Sequence, residues 1–258
     1  MKKTIILSIG IALISLPSFC QEGRDIIQKS HDAVKVSSFE ATSTLVITDG
    51  RGNQRVRKNT MASKTFADNT EKRIIKFISP AEIKGTGILI IDHEEKSDDM
   101  WIYLPSMRKT RRIVSSEKSK GFMGSEFSNA DMTAPSIDDF SYVVLGSEIQ
   151  NNKECWKLES VPVNMDKEDE YGYSKAVSWI CKNDYIVQRT EYYDYDNELF
   201  KTIETQDYTM LDVVEKKYMI TEMFAENHSN GRSSSMKMDQ IQISDTNEDY
   251  FTVAYLER

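Results

Sequence analysis

Short segments in which apolar and polar residues alternate run through most of the chain and limit its possible folds. The first of them carries its apolar side chains at Phe39, Ala41, Leu45 and Ile47. Such alternation is the pattern of a strand with one buried face, and the sequence DGRG at residues 49–52 is typical of a hairpin turn. Because a long antiparallel series curls, the chain is predicted to be mainly β, with one curved antiparallel sheet.

The remaining elements follow from the same patterns. Further strands, separated by turn signals, are predicted at residues 55–63, 72–79, 87–92, 100–104, 108–114, 140–145, 154–163, 173–181, 186–195, 199–208, 217–224, 234–243 and 252–256. One amphipathic helix is predicted at residues 23–36. No linker divides the chain, so residues 21–258 are predicted to form a single domain. Residues 115–139 match no pattern, and so long a loop is usually functional or mobile.

The N-terminus has the form of a secretory signal peptide. A pair of lysines precedes the apolar run at residues 4–17, and small residues follow, so residues 1–20 are predicted to be removed. Cleavage after Cys20 is favoured over a lipid anchor on it, because the bulky Phe19 precedes it. Removal takes away two lysines and no acid, so the formal net charge changes from −8 to −10. That charge argues against nucleic acid as a partner.

No constellation of catalytic or metal-binding residues is visible. His31, His93 and His228 are far apart, and none lies in an H-E-x-x-H motif. Ser125 lacks the G-x-S-x-G pattern of a nucleophile elbow. Neighbouring carboxylates are predicted to lie in solvated turns, because a chain with 41 acidic residues is expected to have many of them side by side. Neither an enzyme nor a cofactor is predicted.

The predicted strand at residues 100–104 is apolar on both faces. Met100 and Ile102 point to one face, and Trp101 and Tyr103 point to the other. One face can belong to the core, and the second must meet another apolar layer. The sequence leaves open whether the N-terminal helix or a ligand provides that layer.

A basic run follows, and it has two interpretations. Arg108, Lys109, Arg111 and Arg112 place charge on both faces of the next predicted strand. Lys and Arg protect an exposed sheet edge against unwanted pairing. They also attract anionic lipid headgroups or an acidic partner. The sequence does not decide between the two.

Three apolar side chains lie in the long loop, where polar residues are expected. Phe122, Met123 and Phe127 either tuck into the core as a plug or form a flexible lid over an apolar groove. Methionine suits a lid because it adapts to irregular ligands.

The two cysteines beyond the signal peptide are predicted to form a disulfide. If the strands at residues 154–163 and 173–181 close on the acidic loop at residues 165–172, facing residues have numbers that sum to 336. The numbers of Cys155 and Cys181 meet this condition, and directly opposed residues are close enough to be bridged.

Several ordered motifs carry a resemblance that covers nearly the whole mature chain. They are FISPAEIKGTGIL at residues 77–89, WIYLP at 101–105, RKTRRI at 108–113, FMGSEF at 122–127 with Asp131, and FTVAYLE at 251–257. With these motifs the chain resembles the LolA-like family of exported outer-membrane lipoprotein-sorting proteins.

The resemblance implies a half-barrel whose apolar concave side is partly closed by helices and loops. The expected groove and lid residues are Ile26, Ile27, Trp101, Tyr103, Phe122, Met123 and Phe127, and Arg108, Lys109, Arg111 and Arg112 are expected to meet a headgroup or partner. No metal or nucleotide is implied.

The better-known members carry lipoproteins across the periplasm by holding their acyl chains. This chain is therefore expected to be a periplasmic carrier of lipoprotein or lipid acyl chains, acting between membranes or with an exporter. The subgroup suggests an inner-membrane exporter of the RND type, or a lipoprotein-release complex, as partner. The alternative is a lipoprotein-sensing or exporter-associated interaction module without transport.

Overall fold

In the part of the chain that the structure describes, thirteen strands form one antiparallel sheet whose two edges are not paired with each other. The computed structural model describes residues 18–93 and 98–257, with side chains from residue 21 onward, so most of the predicted signal peptide lies outside the described residues. The strands are β1 (Ser38–Thr48), β2 (Gln54–Thr65), β3 (Glu71–Ser79), β4 (Gly87–Asp92), β5 (Asp99–Leu104), β6 (Lys109–Ile113), β7 (Phe140–Gln150), β8 (Lys153–Pro162), β9 (Lys175–Cys181), β10 (Val187–Tyr193), β11 (Leu199–Asp212), β12 (Lys217–Asn227) and β13 (Arg232–Ile243).

The strand order shows that residues 115–139 connect the two edges of the sheet. The sheet runs β6-β5-β4-β3-β2-β1-β13-β12-β11-β10-β9-β8-β7, so two meanders meet where β1 pairs with β13. The two edge strands, β6 and β7, are consecutive in the sequence. The segment between them therefore links the two open edges of a curved half-barrel, as the resemblance implied.

Alternation assigns the side chains to two faces. Leu45, Ile75 and Ile88 share one buried cluster that extends from β6 across the sheet to β12, and we call their side the inner face. Ala62 and Leu89 belong to a separate cluster on the outer face. Most of the core thus lies inside the half-barrel.

Helix α1 (Ser18–Val34) packs on the inner face against β7. It begins before the predicted helix and ends two residues earlier. A side chain at Gly23 would place its Cβ only 2.9 Å from that of Tyr142, so glycine permits the close approach. Ile26 is buried with Tyr142 and Leu158 in a second inner cluster. None of the described helices is both long and apolar enough to cross a membrane.

Two elements differ from the sequence prediction. The predicted strand at residues 252–256 is wrong: a 3-10 turn (Glu248–Tyr250) and helix α3 (Val253–Leu256) occupy this region, because Thr252 caps the helix by accepting from the Tyr255 amide. The predicted acidic loop at residues 165–172 is helix α2 (Met165–Tyr171), which Asn164 caps by accepting from the Lys167 amide. Both helices begin at N-cap residues of the preferred types.

Candidate ligand-binding site

Two phenylalanines from residues 115–139 are buried against the inner face. Phe122 is 2% exposed and Phe127 is 1% exposed. Both belong to the inner cluster that contains Phe77 and Ile102, and the rings of Phe122 and Phe77 lie 6.4 Å apart. We call residues 115–139 the plug segment. The two rings are thus tucked into the core, as the plug interpretation expects, and movement of the segment as a lid stays a prediction.

A tight internal turn directs both rings to the same side. The Phe122 amide donates to the Phe127 carbonyl at 2.6 Å, and the Ser125 hydroxyl donates to the Phe122 carbonyl at 2.7 Å. Met123 (φ 50°) and Gly124 (φ 75°) have left-handed backbone conformations that make this turn possible. Ser125 is thus a buried structural residue of the turn.

Glu126 ties the plug segment to β12 and β13. Its carboxylate lies 2.7 Å from Arg232 Nε, a charge contact rather than an aligned hydrogen bond, and accepts from the Asn227 side chain at 3.0 Å. The Glu126 amide donates to the Ser234 hydroxyl at 3.0 Å. Arg232 also donates through Nη2 to the Gly124 carbonyl at 2.8 Å. An ion pair and three hydrogen bonds therefore hold the turn that carries Phe122 and Phe127 against β12 and β13.

A second ion pair lies deeper in the inner face. Lys201 Nζ on β11 donates to Asp131 Oδ2 at 2.8 Å, and the Ser128 amide donates to the same oxygen at 2.7 Å. The side chains of Lys201 and Asp131 are only 8% and 11% exposed. Lys201 Nζ also lies 4.2 Å from the centre of the Tyr192 ring. A buried cation thus stands within an apolar and aromatic surface.

A third pair joins the plug segment to helix α2. Lys118 Nζ lies 2.6 Å from Glu170 Oε1, and both side chains are about nine-tenths buried. Lys167 bridges Glu170 and Asp139 at 2.9 Å to each. The two ends of the plug segment are thereby held to the same short helix.

The far side of the plug segment contacts a charged cluster on β3 and β4. Arg73 Nη1 donates to the Met132 carbonyl at 3.1 Å, and Nη2 donates to Glu71 at 2.7 Å. Burial raises the pKa of Asp92 to about 8, against the opposing effect of Arg73. One Asp92 oxygen is buried without a hydrogen-bond partner in the described part of the chain. This carboxyl group is therefore neutral over much of the acidic range.

A polar cleft of about 350 Å³ lies where the plug segment meets β11 to β13. Residues that line it include Glu126, Phe200, Lys201, Asn227 and Arg232. Both cations that hold the plug segment thus border one cleft, next to the apolar inner face.

The predicted basic cluster lies on an edge strand. Arg108 occupies the turn before β6, and all four residues of the cluster are exposed. Arg111 pairs with Glu117 at 2.6 Å, and Arg112 pairs with Asp99. Within residues 18–93 and 98–257, Arg108 and Lys109 make no ion pair. The edge position agrees with the protective interpretation, and the headgroup or partner role stays a prediction.

Two further arginines face inward at the end of β2. Arg57 pairs in register with Leu45, and Arg55 pairs with Ile47, so both share the inner face with these buried residues. Burial and the nearby Arg55 lower the pKa of Arg57. The inner face is thus basic at this end.

The seven predicted groove residues do not line one surface. Phe122, Met123 and Phe127 lie in the first inner cluster, and Ile26 and Ile27 lie in the second inner cluster beneath helix α1.

Trp101 and Tyr103 lie on the other face of β5. They belong to the outer cluster with Phe251 and Leu256 of the C-terminal segment. Their assignment to the groove is therefore wrong, because strand alternation turns them away from it. The covering layer is the C-terminal segment, whereas the N-terminal helix packs in a different cluster.

The two cysteines face each other as the register arithmetic predicted. Cys155 pairs with Cys181, and the Lys182 amide donates to the Glu154 carbonyl at 2.9 Å. Glu154 and Lys182 therefore form a hydrogen-bonded pair of the antiparallel ladder, and the neighbouring Cys155 and Cys181 form a pair without backbone hydrogen bonds between them. In such pairs the Cα atoms are typically about 4.5 Å apart. Both thiols are buried and free in the structure, and burial raises the pKa of Cys155 to about 11. The disulfide stays a prediction.

The histidines do not come together in the fold. The three histidines lie on separate elements, and His93 bonds Asp99 on the outer side. Among the described residues, no three His, Cys, Asp or Glu side chains are arranged to hold a metal ion.

Sequence reasoning missed Lys201, Arg232, Arg55 and Arg57. The sequence does contain a sign of their position, because each is a basic residue that alternates in step with the apolar residues of the inner face. Lys201 is in phase with the inner Ile203, and Arg232 is in phase with Met236. Only the register identifies that phase as the inner one.

Comparisons with known proteins agree with this architecture. A family model described as "-like: Uncharacterized protein" matches residues 69–258. The search of curated proteins gave no match. The chain is similar to a solved domain described as an outer membrane lipoprotein-sorting protein, from Vibrio parahaemolyticus. Identity is 26%, coverage is 93% of this chain and 100% of that one, and the TM-score is 0.84.

Two more solved structures are similar. A DUF1329 family protein from Desulfovibrio piger has 27% identity, with 92% of this chain and 98% of that one covered, and a TM-score of 0.83. A LolA superfamily protein from Nitrosomonas europaea shares the fold at 18% identity, with 90% and 98% coverage and a TM-score of 0.68. The chain therefore belongs to the family whose model matches residues 69–258, and its fold is similar to those of the lipoprotein-sorting domain and the LolA superfamily protein.

Proposed function

We propose that this protein is a periplasmic carrier that holds the acyl chains of a lipid or lipoprotein on the inner face of the half-barrel. The observation that carries the proposal is the plug segment, which places Phe122 and Phe127 on an apolar wall that belongs to the sheet. An acyl chain would take the place of these two rings. The lipoprotein-sorting description of the relative from Vibrio parahaemolyticus supports this use of the fold.

The plug segment is attached in a way that favours displacement. In the described part of the chain, the backbone hydrogen bonds of residues 118–133 run within the segment itself. Its bonds to the sheet run through side chains such as Arg73, Lys201 and Arg232. Movement of the segment therefore breaks no strand ladder, and the sheet keeps its own backbone hydrogen bonds.

For the apolar contacts alone, the exchange of side chains for an acyl chain favours binding by only a few kcal/mol. Burial of one phenylalanine contributes about 1.5–3 kcal/mol, so displacement of Phe122 and Phe127 costs roughly 3–6 kcal/mol. A ten-carbon chain would contribute about 8 kcal/mol at about 0.8 kcal/mol for each buried CH₂. Affinity then stays moderate and reversible, as transfer between two sites requires.

The proposed handover partners are a membrane, an inner-membrane exporter of the RND type or a lipoprotein-release complex. The exposed Arg108 and Lys109 on the edge of the sheet suit an acidic or anionic surface. Replacement of both by Glu should weaken partner or vesicle binding, most strongly at low salt, without changing acyl binding. Equal binding of the variant and the wild type at low salt would remove this cluster from the proposal.

The test of the carrier function is acyl binding by the purified exported protein. Lipids that co-purify are extracted and identified, and a fluorescent fatty acid is titrated into the delipidated protein. Phe122→Ala should bind the probe more tightly than the wild type does, because the plug segment competes less well.

Phe251→Ala is the matched control. Phe251 is also 2% exposed, but it packs on the outer face. This variant should leave probe affinity unchanged. If neither co-purified lipid nor probe binding is found in the wild type and in Phe122→Ala, the carrier function is refuted. Probe binding without transfer between vesicles would favour a sensing or interaction module.

A further inference from the structure

The inner face holds two cations whose present partners belong to the plug segment. Arg232 pairs with Glu126, and Lys201 pairs with Asp131. Both cations lie on strands of the sheet, and both carboxylates lie on the segment that must move for a ligand to enter. The sheet contributes the positive charge and the plug segment contributes the negative charge.

Displacement of the plug segment therefore changes the charge of the site. When Glu126 and Asp131 leave with the segment, Lys201 and Arg232 remain beside an apolar wall without their counterions. An acyl chain that covers these cations again without giving them a partner is strongly disfavoured, above all at Lys201, whose side chain is 8% exposed, and less at Arg232, which is 34% exposed. A ligand with only an acyl chain would replace Phe122 and leave this cost in place, whereas an anionic ligand would remove it.

The surroundings of the two cations suit a group with several acceptor oxygens. The cleft of about 350 Å³ that Lys201 and Arg232 border is also lined by Asn227 of β12, which stays with the sheet when the plug segment moves. The inward-facing Arg55 lies two strands away, because Ile47 pairs with both Arg55 and Ser234. Positive charge is thus concentrated at this end of an otherwise acidic chain.

We propose that the cargo is a phosphate-bearing lipid, whose headgroup binds between Lys201 and Arg232 and whose acyl chain takes the place of Phe122 and Phe127. Glu126 and Asp131 occupy the headgroup position in the closed protein. This inference rests on the proposed carrier function and narrows its cargo. The acylated N-terminal cysteine of a lipoprotein carries no anionic group and fits this site less well.

The test compares two ligands that differ only in the phosphate. Oleoyl lysophosphatidic acid and monoolein share the acyl chain and glycerol, and binding is measured by displacement of a fluorescent fatty alcohol. The wild type should bind the phosphate-bearing ligand on the order of ten- to a hundredfold more tightly, as expected for one charge-assisted contact. Glycerol 3-phosphate alone should not displace the probe at the same concentrations.

Substitutions of single basic residues distinguish the effect of Lys201 and Arg232 from the effect of the protein's net charge. Lys201→Met and Arg232→Met should each lose affinity for lysophosphatidic acid relative to monoolein, whose own affinity should not fall, because the plug segment loses an attachment to the sheet. Lys201→Met leaves a buried carboxylate, so Lys201→Met with Asp131→Asn is measured as well. Lys237→Met is the matched control, because Lys237 lies on β13 between the inner Met236 and Met238 and pairs with Glu222 on the other face.

The outcomes distinguish this inference from the proposed function. Equal binding of monoolein and lysophosphatidic acid would overturn the phosphate-lipid cargo and leave the carrier intact. Displacement by glycerol 3-phosphate alone would show a site for free phosphate esters and would also overturn it. If Lys237→Met lost as much affinity for lysophosphatidic acid as Lys201→Met does, the effect would come from the net charge of the protein, and the proposed headgroup site would be overturned. Binding of neither lipid would refute the carrier function itself.

Discussion

Replacement of Phe122 and of Phe77 by alanine should have different effects, although the two rings pack against each other and both are almost fully buried. Loss of a buried phenylalanine costs about 3–5 kcal/mol. If the plug segment opens as a unit while the sheet stays folded, Phe122→Ala lowers the free energy of this opening by that amount. The open population then rises by a factor between about one hundred and a few thousand. Phe77→Ala removes a side chain of the sheet and lowers the free energy of global unfolding as well.

Native-state hydrogen exchange separates these cases. The amides of Phe122 and Asn129, which bond within the plug segment, report on its opening. The amides of β1 and β2 report on global unfolding. In Phe122→Ala, protection should fall at the two plug-segment amides and stay unchanged in the strands, whereas Phe77→Ala should reduce both. If Phe122→Ala weakens protection in β1 and β2 as much as in the plug segment, the segment is an integral part of the core.

Three further predictions concern other parts of the molecule. In the exported protein, Cys155 and Cys181 should form a disulfide worth about 3 kcal/mol, and two reactive thiols after unfolding under non-reducing conditions would contradict it. The pKa of Asp92 is raised above its unfolded value, so its carboxyl group ionises first in the unfolded state, and the fold loses stability increasingly from about pH 4 to about pH 8. Urea unfolding should therefore show the stability of Asp92→Asn relative to the wild type rising over this range, and a constant difference would count against the buried carboxyl group. The intact mass of the exported protein should correspond to a chain that begins at Gln21. A mass that corresponds to a chain with a diacylglyceryl group on Cys20 would refute the cleavage prediction.

Local patterns predicted the strands well because alternation reflects one buried face. Every predicted strand except the last is found, and the facing cysteines follow from a single register. The failures involve contacts between distant parts of the chain. Trp101 and Tyr103 were known to share a face, but the layer over that face comes from residues 251–256. No local pattern identifies such a partner.

The charged part of the site was hidden for the same reason. Lys201 and Asp131 are 70 residues apart in sequence, and their pairing depends on the path of the plug segment between β6 and β7. The loop phenylalanines were recognised, but their burial was not decided by the sequence. A charged substitution at Phe122 is therefore expected to destabilise the plug segment, whereas an exposed lid would tolerate it.

Photo-crosslinking of an acyl chain tests the central claim most directly. A fatty acid with a diazirine near the end of its chain is bound to the protein and activated, and the modified residues are mapped by peptide mass spectrometry. Strand β5 contains its own control, because Met100 and Ile102 face inward while Trp101 and Tyr103 face outward. Labelling is predicted at Met100, Ile102 and Phe77, and it should increase in Phe122→Ala. Labelling of Trp101 and Tyr103 with none on the inner face would contradict acyl binding inside the half-barrel.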